Sequence, residues 1–188
     1  MRPLTLYLRS RQTAVTTAVA LACVAALGGL GQTADTPLGR VVLALFAVTI
    51  AVSVAATSLA GADPALERTT AVAWWWRRAA HVVAIGVLAC TVMALAPEVP
   101  TAVVARNVIG MTGLAALGVT LLGGALAWCV PMVWTVAAVS ASLASRTPGV
   151  PVVTWPVQPA DTTAAVGAAG VLGVVGLAVY AVRGPRVQ

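Results

Sequence analysis

The chain has 188 residues, of which 60% are hydrophobic and 9% charged, and its formal net charge is +6. Soluble domains average roughly 45–50% apolar and 25% charged residues, so this composition excludes a water-soluble fold. We therefore predict an all-α polytopic membrane protein, a bundle of about six transmembrane helices in a single domain.

The 11 basic residues are all arginines, and lysine does not occur in the chain. Most of these arginines flank apolar segments instead of forming a stripe along a polar face. Flanking charge of this kind orients membrane proteins, whereas a basic stripe is typical of nucleic-acid binding. The charge is interpreted as a topology signal, and nucleic acid is not expected among the partners.

The N-terminal segment 1–11 alternates leucine with polar and basic residues, which is typical of an amphipathic element in the membrane interface. An apolar first span is predicted over 12–30. A cleaved signal peptide is the alternative, but the further apolar segments that follow favour a retained span. The polar stretch 31–37 predicts a turn, and a second span is predicted over 38–60.

The connection 61–78 is the sizeable polar segment near the middle of the chain. Its Asp63-Pro64 pair predicts a helix start, because the carboxylate caps free N–H groups and proline suits the first helical position. Indole rings favour headgroup depth, where guanidinium groups face phosphates. The predicted interfacial anchors are Trp74, Trp75, Trp76, Arg77 and Arg78.

The remaining spans are predicted over 79–96, 101–122 and 161–182, with one between them that runs to 144 after a short turn at Gly123-Gly124. Pro131 lies inside the fifth of the six spans and predicts a kink there. Before the last span, the segment 145–160 contains four prolines and Trp155. This segment is predicted to be an extended external loop docked at the interface.

Counting arginines on alternate sides predicts the orientation. With both termini cytoplasmic, eight arginines face the cytoplasm and three lie near the outer face. This bias satisfies the positive-inside rule, so both termini and the connection 61–78 are predicted to be cytoplasmic. The cytoplasmic arginines are Arg2, Arg9, Arg11, Arg68, Arg77, Arg78, Arg183 and Arg186, and the outer ones are Arg40, Arg106 and Arg146.

Two polar residues near the start of the fourth span, Arg106 and Asn107, are candidates for a substrate pathway, because an ionisable residue within a span is costly. Snorkelling of Arg106 to headgroups, with Glu98 as a partner, is an equal alternative. For His81, a proton relay or metal ligand is possible, and interfacial placement is favoured.

Four glycines recur every three residues in the last span: Gly167, Gly170, Gly173 and Gly176. Small residues of this kind permit close backbone approach between helices. Tight packing within the bundle is the favoured interpretation. A dimer interface or a surface that slides during transport is the alternative.

Several signatures of enzymes and cofactor sites do not occur in the sequence. Without lysine there is no GxxxxGK[ST] loop for nucleotide phosphates, and no HExxH or GxSxG motif is present. The three cysteines, Cys23, Cys90 and Cys129, lie in separate apolar runs and indicate neither a disulfide framework nor a metal site. We expect a chain that is not an enzyme and binds no cofactor itself.

Four segments resemble small six-span permease subunits of ABC transporters, of the type-two exporter class common in actinobacteria. The segment 62–69 (ADPALERT) resembles their cytoplasmic loop between the second and third spans. The segments 106–110 (RNVIG), 127–131 (AWCVP) and 155–161 (WPVQPAD) are further likenesses. The connection before the last span is more compact than the external region that these permeases often have.

The resemblance implies that two permease subunits, of the same or different chains, form a twelve-helix pathway in the plasma membrane. Separate ABC ATPase subunits would bind ATP and magnesium, and segment 1–11 would be the family's elbow helix. The implied coupling helix contains Asp63, Pro64, Leu66, Glu67 and Arg68. The expected function is therefore the permease subunit of an ABC exporter. The alternative is a non-transporting membrane partner, such as an assembly, immunity or sensor subunit.

Overall fold

The computed structural model of the chain describes residues 34–60, 74–94, 99–144 and 151–186, with five isolated positions between 18 and 29. Those five positions are helical and lie within the predicted first span. The rest of that span, the predicted interfacial segment 1–11 and the greater part of the connection 61–78 lie outside the described residues.

Five helices in the described part are long and apolar enough to cross a membrane. A short sixth helix precedes the last of them. The all-α polytopic class predicted from composition is thus confirmed. The helices are α1 (Pro37–Ala56), α2 (Trp75–Ala94), α3 (Thr101–Leu122), α4 (Cys129–Ala144), α5 (Pro151–Thr154) and α6 (Thr163–Arg183).

Helix α3 lies at the centre of the described bundle. It packs against α1, α2, α4 and α6. Of the residues in its most apolar stretch, 78% are buried, compared with 22% for the corresponding stretch of α2. The outer helices present large aliphatic side chains away from the bundle, such as Val133 on α4 and Val174 on α6. Such exposed apolar faces suit contact with lipid, so the bundle is arranged around one protein-embedded helix.

Helices α3 and α6 run in the same direction and approach through glycines. A Cβ added to Gly176 would lie 2.6 Å from Cα of Gly113, and one added to Gly173 would lie 2.6 Å from Cγ2 of Ile109. By contrast, Gly170 has no such neighbour within 4 Å. The glycine repeat therefore divides, with its later half packed within the bundle as expected for small residues at a helix interface.

A side-chain cap and a proline explain where α1 begins, and α2 begins earlier than the predicted start at 79. The hydroxyl of Thr36 accepts a hydrogen bond from the N–H of Gly39 at 3.1 Å, and Pro37 occupies the first helical position. Helix α2 starts at Trp75, so the tryptophan-arginine belt forms its first turn instead of preceding it.

The bundle has two ends, which differ in the helix termini that meet there. At the arginine-rich end lie the start of α2, the ends of α3 and α6, and the 3-10 turn Thr57–Ala60 that follows α1. At the proline-rich end lie the starts of α1, α3 and α6 and the segment 151–159. This division follows from the alternating direction of consecutive spans.

Two expectations about prolines are wrong. Pro131 is the third residue of α4, where no intrahelical N–H bond is lost, and the chain turns just before it at Ala127 and Trp128. It therefore begins a helix and does not kink one. The segment 151–157 is not extended, because it forms α5 and a 3-10 turn.

Candidate functional site

The side chain of Arg106 is buried near the start of α3 and binds the chain segment that precedes α6. Its Nη1 donates to the carbonyl of Pro159 at 2.8 Å, and its Nη2 donates to the carbonyls of Gln158 at 2.6 Å and Pro156 at 3.4 Å. The residue is only 4% exposed. Main-chain carbonyls thus bind both terminal nitrogens of the guanidinium. Glu98, the partner in the snorkelling alternative for Arg106, lies outside the described residues.

Asn107 binds the same segment from the next position on α3. Its Nδ2 donates to the carbonyl of Pro156 at 3.0 Å, and the residue is 3% exposed. Within the segment, Gln158 Nε2 donates to Thr154 Oγ1 at 2.8 Å. Proline lacks an N–H but keeps its carbonyl acceptor, so a proline-rich segment has acceptors for these donors. Arg106 and Asn107 together fix 156–159 on the end of α3.

Trp155 is the apolar part of the same attachment. The indole is 0% exposed, although the sequence predicted it at the interface. Its ring lies against Gly110, where an added Cβ would come within 2.7 Å of Cζ2. The interfacial prediction for this loop is therefore wrong for Trp155, because the missing side chain of Gly110 leaves room for the indole inside the bundle.

At the arginine-rich end, two hydrogen bonds tie the turn after α1 to other helices. The hydroxyl of Tyr180, on α6, donates to the carbonyl of Leu59 at 2.6 Å, and Tyr180 is 0% exposed. Ser58 Oγ lies 3.1 Å from Nε2 of His81, on α2, and also donates to the carbonyl of Ala55. His81 thus joins two helices at this end.

The predicted interfacial anchors divide into exposed and buried members. Trp75 and Trp76 are more than half exposed, and the Arg77 guanidinium lies 5.2 Å from the ring centroids of Trp74 and Trp76, a cation–π arrangement. Arg78 differs from the expectation, because it is only 9% exposed.

The guanidinium of Arg78 lies against Gly184, the residue that follows α6. A Cβ on Gly184 would lie 2.6 Å from Cζ of Arg78, and the φ of Gly184 is 70°, a conformation that favours glycine. A cation near the last carbonyls of a helix also interacts favourably with the helix dipole. Arg78 therefore connects the start of α2 to the end of α6.

The implied coupling residues lie outside the described residues, but the structure describes both flanks of their connection. On one side it leaves the turn Thr57–Ala60, and on the other it enters α2 at Trp75. Ser58, His81 and Arg78 join these flanks to each other and to α6. The implied residues are Asp63, Pro64, Leu66, Glu67 and Arg68.

A buried polar contact joins α1 to α4 in the middle of the bundle. The hydroxyls of Thr49 and Thr135 are 2.8 Å apart, and both residues are 0% exposed. Hydroxyl pairs of this kind link helices inside membranes. Ser53 and Thr112 are further buried hydroxyl residues on α1 and α3. The described interior is therefore not uniformly apolar.

The described residues contain no group of three His, Cys, Asp or Glu side chains that would hold a metal ion. Cys90 and Cys129 are free thiols, half-buried in α2 and α4.

Sequence reasoning missed the structural roles of Tyr180 and Trp155. The loop before the last span was predicted to dock at the interface, which placed Trp155 there. No role was predicted for Tyr180. For Trp155, the available signal was Gly110 together with the adjacent Arg106 and Asn107, which mark a wide and polar site on α3. For Tyr180 no such signal exists. Every residue has a main-chain carbonyl, so the sequence does not show that the carbonyl of Leu59 accepts this bond.

Comparison of the chain with protein-family models, curated protein sequences and solved structures found no match.

Proposed function

We propose that this chain is the membrane-spanning permease subunit of an ABC exporter in the plasma membrane. It forms part of the substrate pathway with a second permease subunit and is driven by separate ATPase subunits that bind ATP and magnesium. The observation that carries the proposal is the anchoring of both flanks of the connection 61–78 to each other and to α6. The resemblance of its ADPALERT segment to a coupling loop agrees with this arrangement.

The anchoring supports a mechanical role for the connection. A movement of the connection acts on the Thr57–Ala60 turn and on the start of α2, which Ser58 and His81 hold together at 3.1 Å. Tyr180 extends the same link to α6. Rigid-body rotation of packed helices is an established way to convert a local push into a change of access. On this proposal, α1, α2 and α6 move together when the ATPases close.

A non-transporting partner protein is the second candidate, and the proline-rich end favours it. There Arg106, Asn107 and Trp155 hold the segment before α6 on α3 through buried contacts. The glycine contact between α3 and α6 makes the same pair of helices close-packed. A bundle that is fixed in this way suits a protein that holds a partner in place.

The test is purification of the tagged chain, in mild detergent, from cells that carry its gene. The transporter proposal predicts a copurifying protein with a GxxxxGK[ST] loop and vanadate-sensitive ATP hydrolysis. Replacing Glu67 and Arg68 with alanine should lower recovery of this protein by about tenfold, which corresponds to loss of about 1.4 kcal/mol at the interface.

The matched control replaces Thr70 and Val72, which lie in the same connection but outside the ADPALERT segment, with alanine. This variant should retain the ATPase. Recovery of a sensor kinase, a toxin or an assembly complex without any ATPase would support the second candidate. A wild-type level of ATPase in the Glu67→Ala, Arg68→Ala variant would exclude the proposed coupling residues.

A further inference from the structure

An open groove lies between the ends of α3 and α6 at the arginine-rich end. Its volume is about 390 Å³. Pockets that bind small molecules are about 300–1,000 Å³ in volume, so the groove is within the size range for a small polar group such as a lipid headgroup. The residues that line it are Thr120, Leu121, Arg183, Gly184 and Arg186.

Arg186 is held in a defined position at this groove. Its N–H donates to the carbonyl of Val119 at 3.2 Å, and its Nη1 donates to the carbonyl of Leu121 at 2.7 Å. Both acceptors are among the last carbonyls of α3, which has no basic residue in its own last turn. The guanidinium carries further donors than the one engaged here, and its fork geometry matches phosphate.

The charge around the groove is positive in the described part of the chain. Arg183, in the last turn of α6, is the second arginine in its lining. The described acidic residues, Asp35 and Asp161, precede α1 and α6 at the proline-rich end. No described carboxylate therefore offsets Arg183 and Arg186, and an anionic ligand is favoured.

The depth and the apolar surroundings of the groove match a lipid headgroup. It lies where the membrane-spanning lengths of α3 and α6 both end, at Leu122 and Arg183. Beside the arginines, Leu121 is 51% exposed and Val182 is 78% exposed, so aliphatic surface for an acyl chain adjoins the charged site. Basic pockets between transmembrane helices at this level bind anionic lipid headgroups in other proteins.

We propose that this groove binds the phosphate of an anionic phospholipid, with Arg183 and Arg186 as its ligands. Arg186 provides a guanidinium that its bonds to α3 hold in place, and Arg183 provides the second charge from α6. The bound lipid bridges the ends of the central helix and the last helix. The proposal does not depend on a transport function.

The test measures lipid binding to the full-length chain in detergent by native mass spectrometry. Phosphatidylglycerol should bind more tightly than phosphatidylcholine with the same acyl chains. Each arginine removed, in Arg183→Gln and then in Arg183→Gln with Arg186→Gln, should weaken phosphatidylglycerol binding about fivefold, which corresponds to about 1 kcal/mol per basic residue. Arg40→Gln, at the opposite end, is the matched control and should bind as the wild type does.

Arg183→Gln is informative by itself, because Arg186 also caps α3 and the double variant risks misfolding. An unchanged phosphatidylglycerol affinity in Arg183→Gln, or equal affinity of the wild type for the two lipids, overturns the proposal. Inorganic phosphate is added as a soluble competitor. If millimolar inorganic phosphate displaces phosphatidylglycerol, the groove is a site for free phosphate and the assignment to lipid is wrong.

Discussion

The hydroxyl of Tyr180 donates a 2.6 Å hydrogen bond to the main-chain carbonyl of Leu59, and both residues are almost completely buried. This bond joins the last helix to the turn that follows α1. It lies at the end of the bundle where the connection 61–78 leaves α1 and enters α2. The Tyr180 hydroxyl therefore links α6 to the turn Thr57–Ala60, from which the connection 61–78 leaves.

Removal of this hydroxyl should destabilise the protein. In Tyr180→Phe the ring still fills its site, but the buried Leu59 carbonyl loses this donor, so the free energy of unfolding should fall by about 1–2 kcal/mol. Chemical unfolding in mixed micelles measures the change. Thr91→Val is the control, because that exposed hydroxyl bonds only within its own helix at 2.9 Å. Equal losses in the two variants would contradict the role of Tyr180.

Alanine substitutions should separate the two halves of the glycine repeat in α6. Gly176→Ala introduces a Cβ into the backbone of Gly113 and should cost about 1–3 kcal/mol of unfolding free energy, the usual range for overpacking. Gly170→Ala meets nothing within 4 Å, and alanine is the better helix former, so its stability should be unchanged or slightly raised. Thermal unfolding of both variants, side by side, measures the difference. A destabilised Gly170→Ala would instead indicate that a second chain contacts this face.

Lysine at position 106 should not hold the segment 156–159 as Arg106 does. A single ammonium group cannot reproduce the planar fork that reaches the carbonyls of Gln158 and Pro159. Arg106→Lys should lower the unfolding free energy by about 1.5–3 kcal/mol, the range for hydrogen bonds to charged groups. Arg40→Lys, which alters one 3.3 Å bond to the carbonyl of Ala34, should have a smaller effect in the same thermal unfolding assay. A wild-type stability for Arg106→Lys would show that the attachment of 156–159 does not depend on the guanidinium.

The predicted orientation is tested by cysteine labelling in intact cells. In a background with Cys23, Cys90 and Cys129 replaced by serine, exposed Asp161→Cys should react with a membrane-impermeant maleimide from outside. Arg77→Cys, which is also exposed, should react only after lysis. The expected pattern follows from the excess of arginine on the cytoplasmic side. Labelling of Arg77→Cys in intact cells would reverse the topology and place the connection 61–78 outside.

Boundaries within the described spans followed closely from hydropathy. The predicted span 101–122 coincides with α3, and the last span differs from α6 by only a few residues. A membrane-crossing helix needs a continuous apolar run of about 20 residues, so hydropathy along the sequence indicates its extent. Residues at the membrane interface obey no such constraint. The start of α2 was accordingly misplaced, because tryptophan and arginine suit both an interfacial loop and a first helical turn.

The amino-acid sequence by itself determined that the protein is a helical membrane bundle and where most of its described spans lie, because lipid demands apolar, internally hydrogen-bonded segments. Only the tertiary structure decided that α3 is central, that Arg106 points to carbonyls and that Trp155 is buried. The spans are nearly uniform in alanine, valine, leucine and glycine, so their composition does not specify which faces meet. These features depend on the shapes of the helix surfaces, on the space left at Gly110 and Gly113, and on main-chain acceptors, which every residue type has.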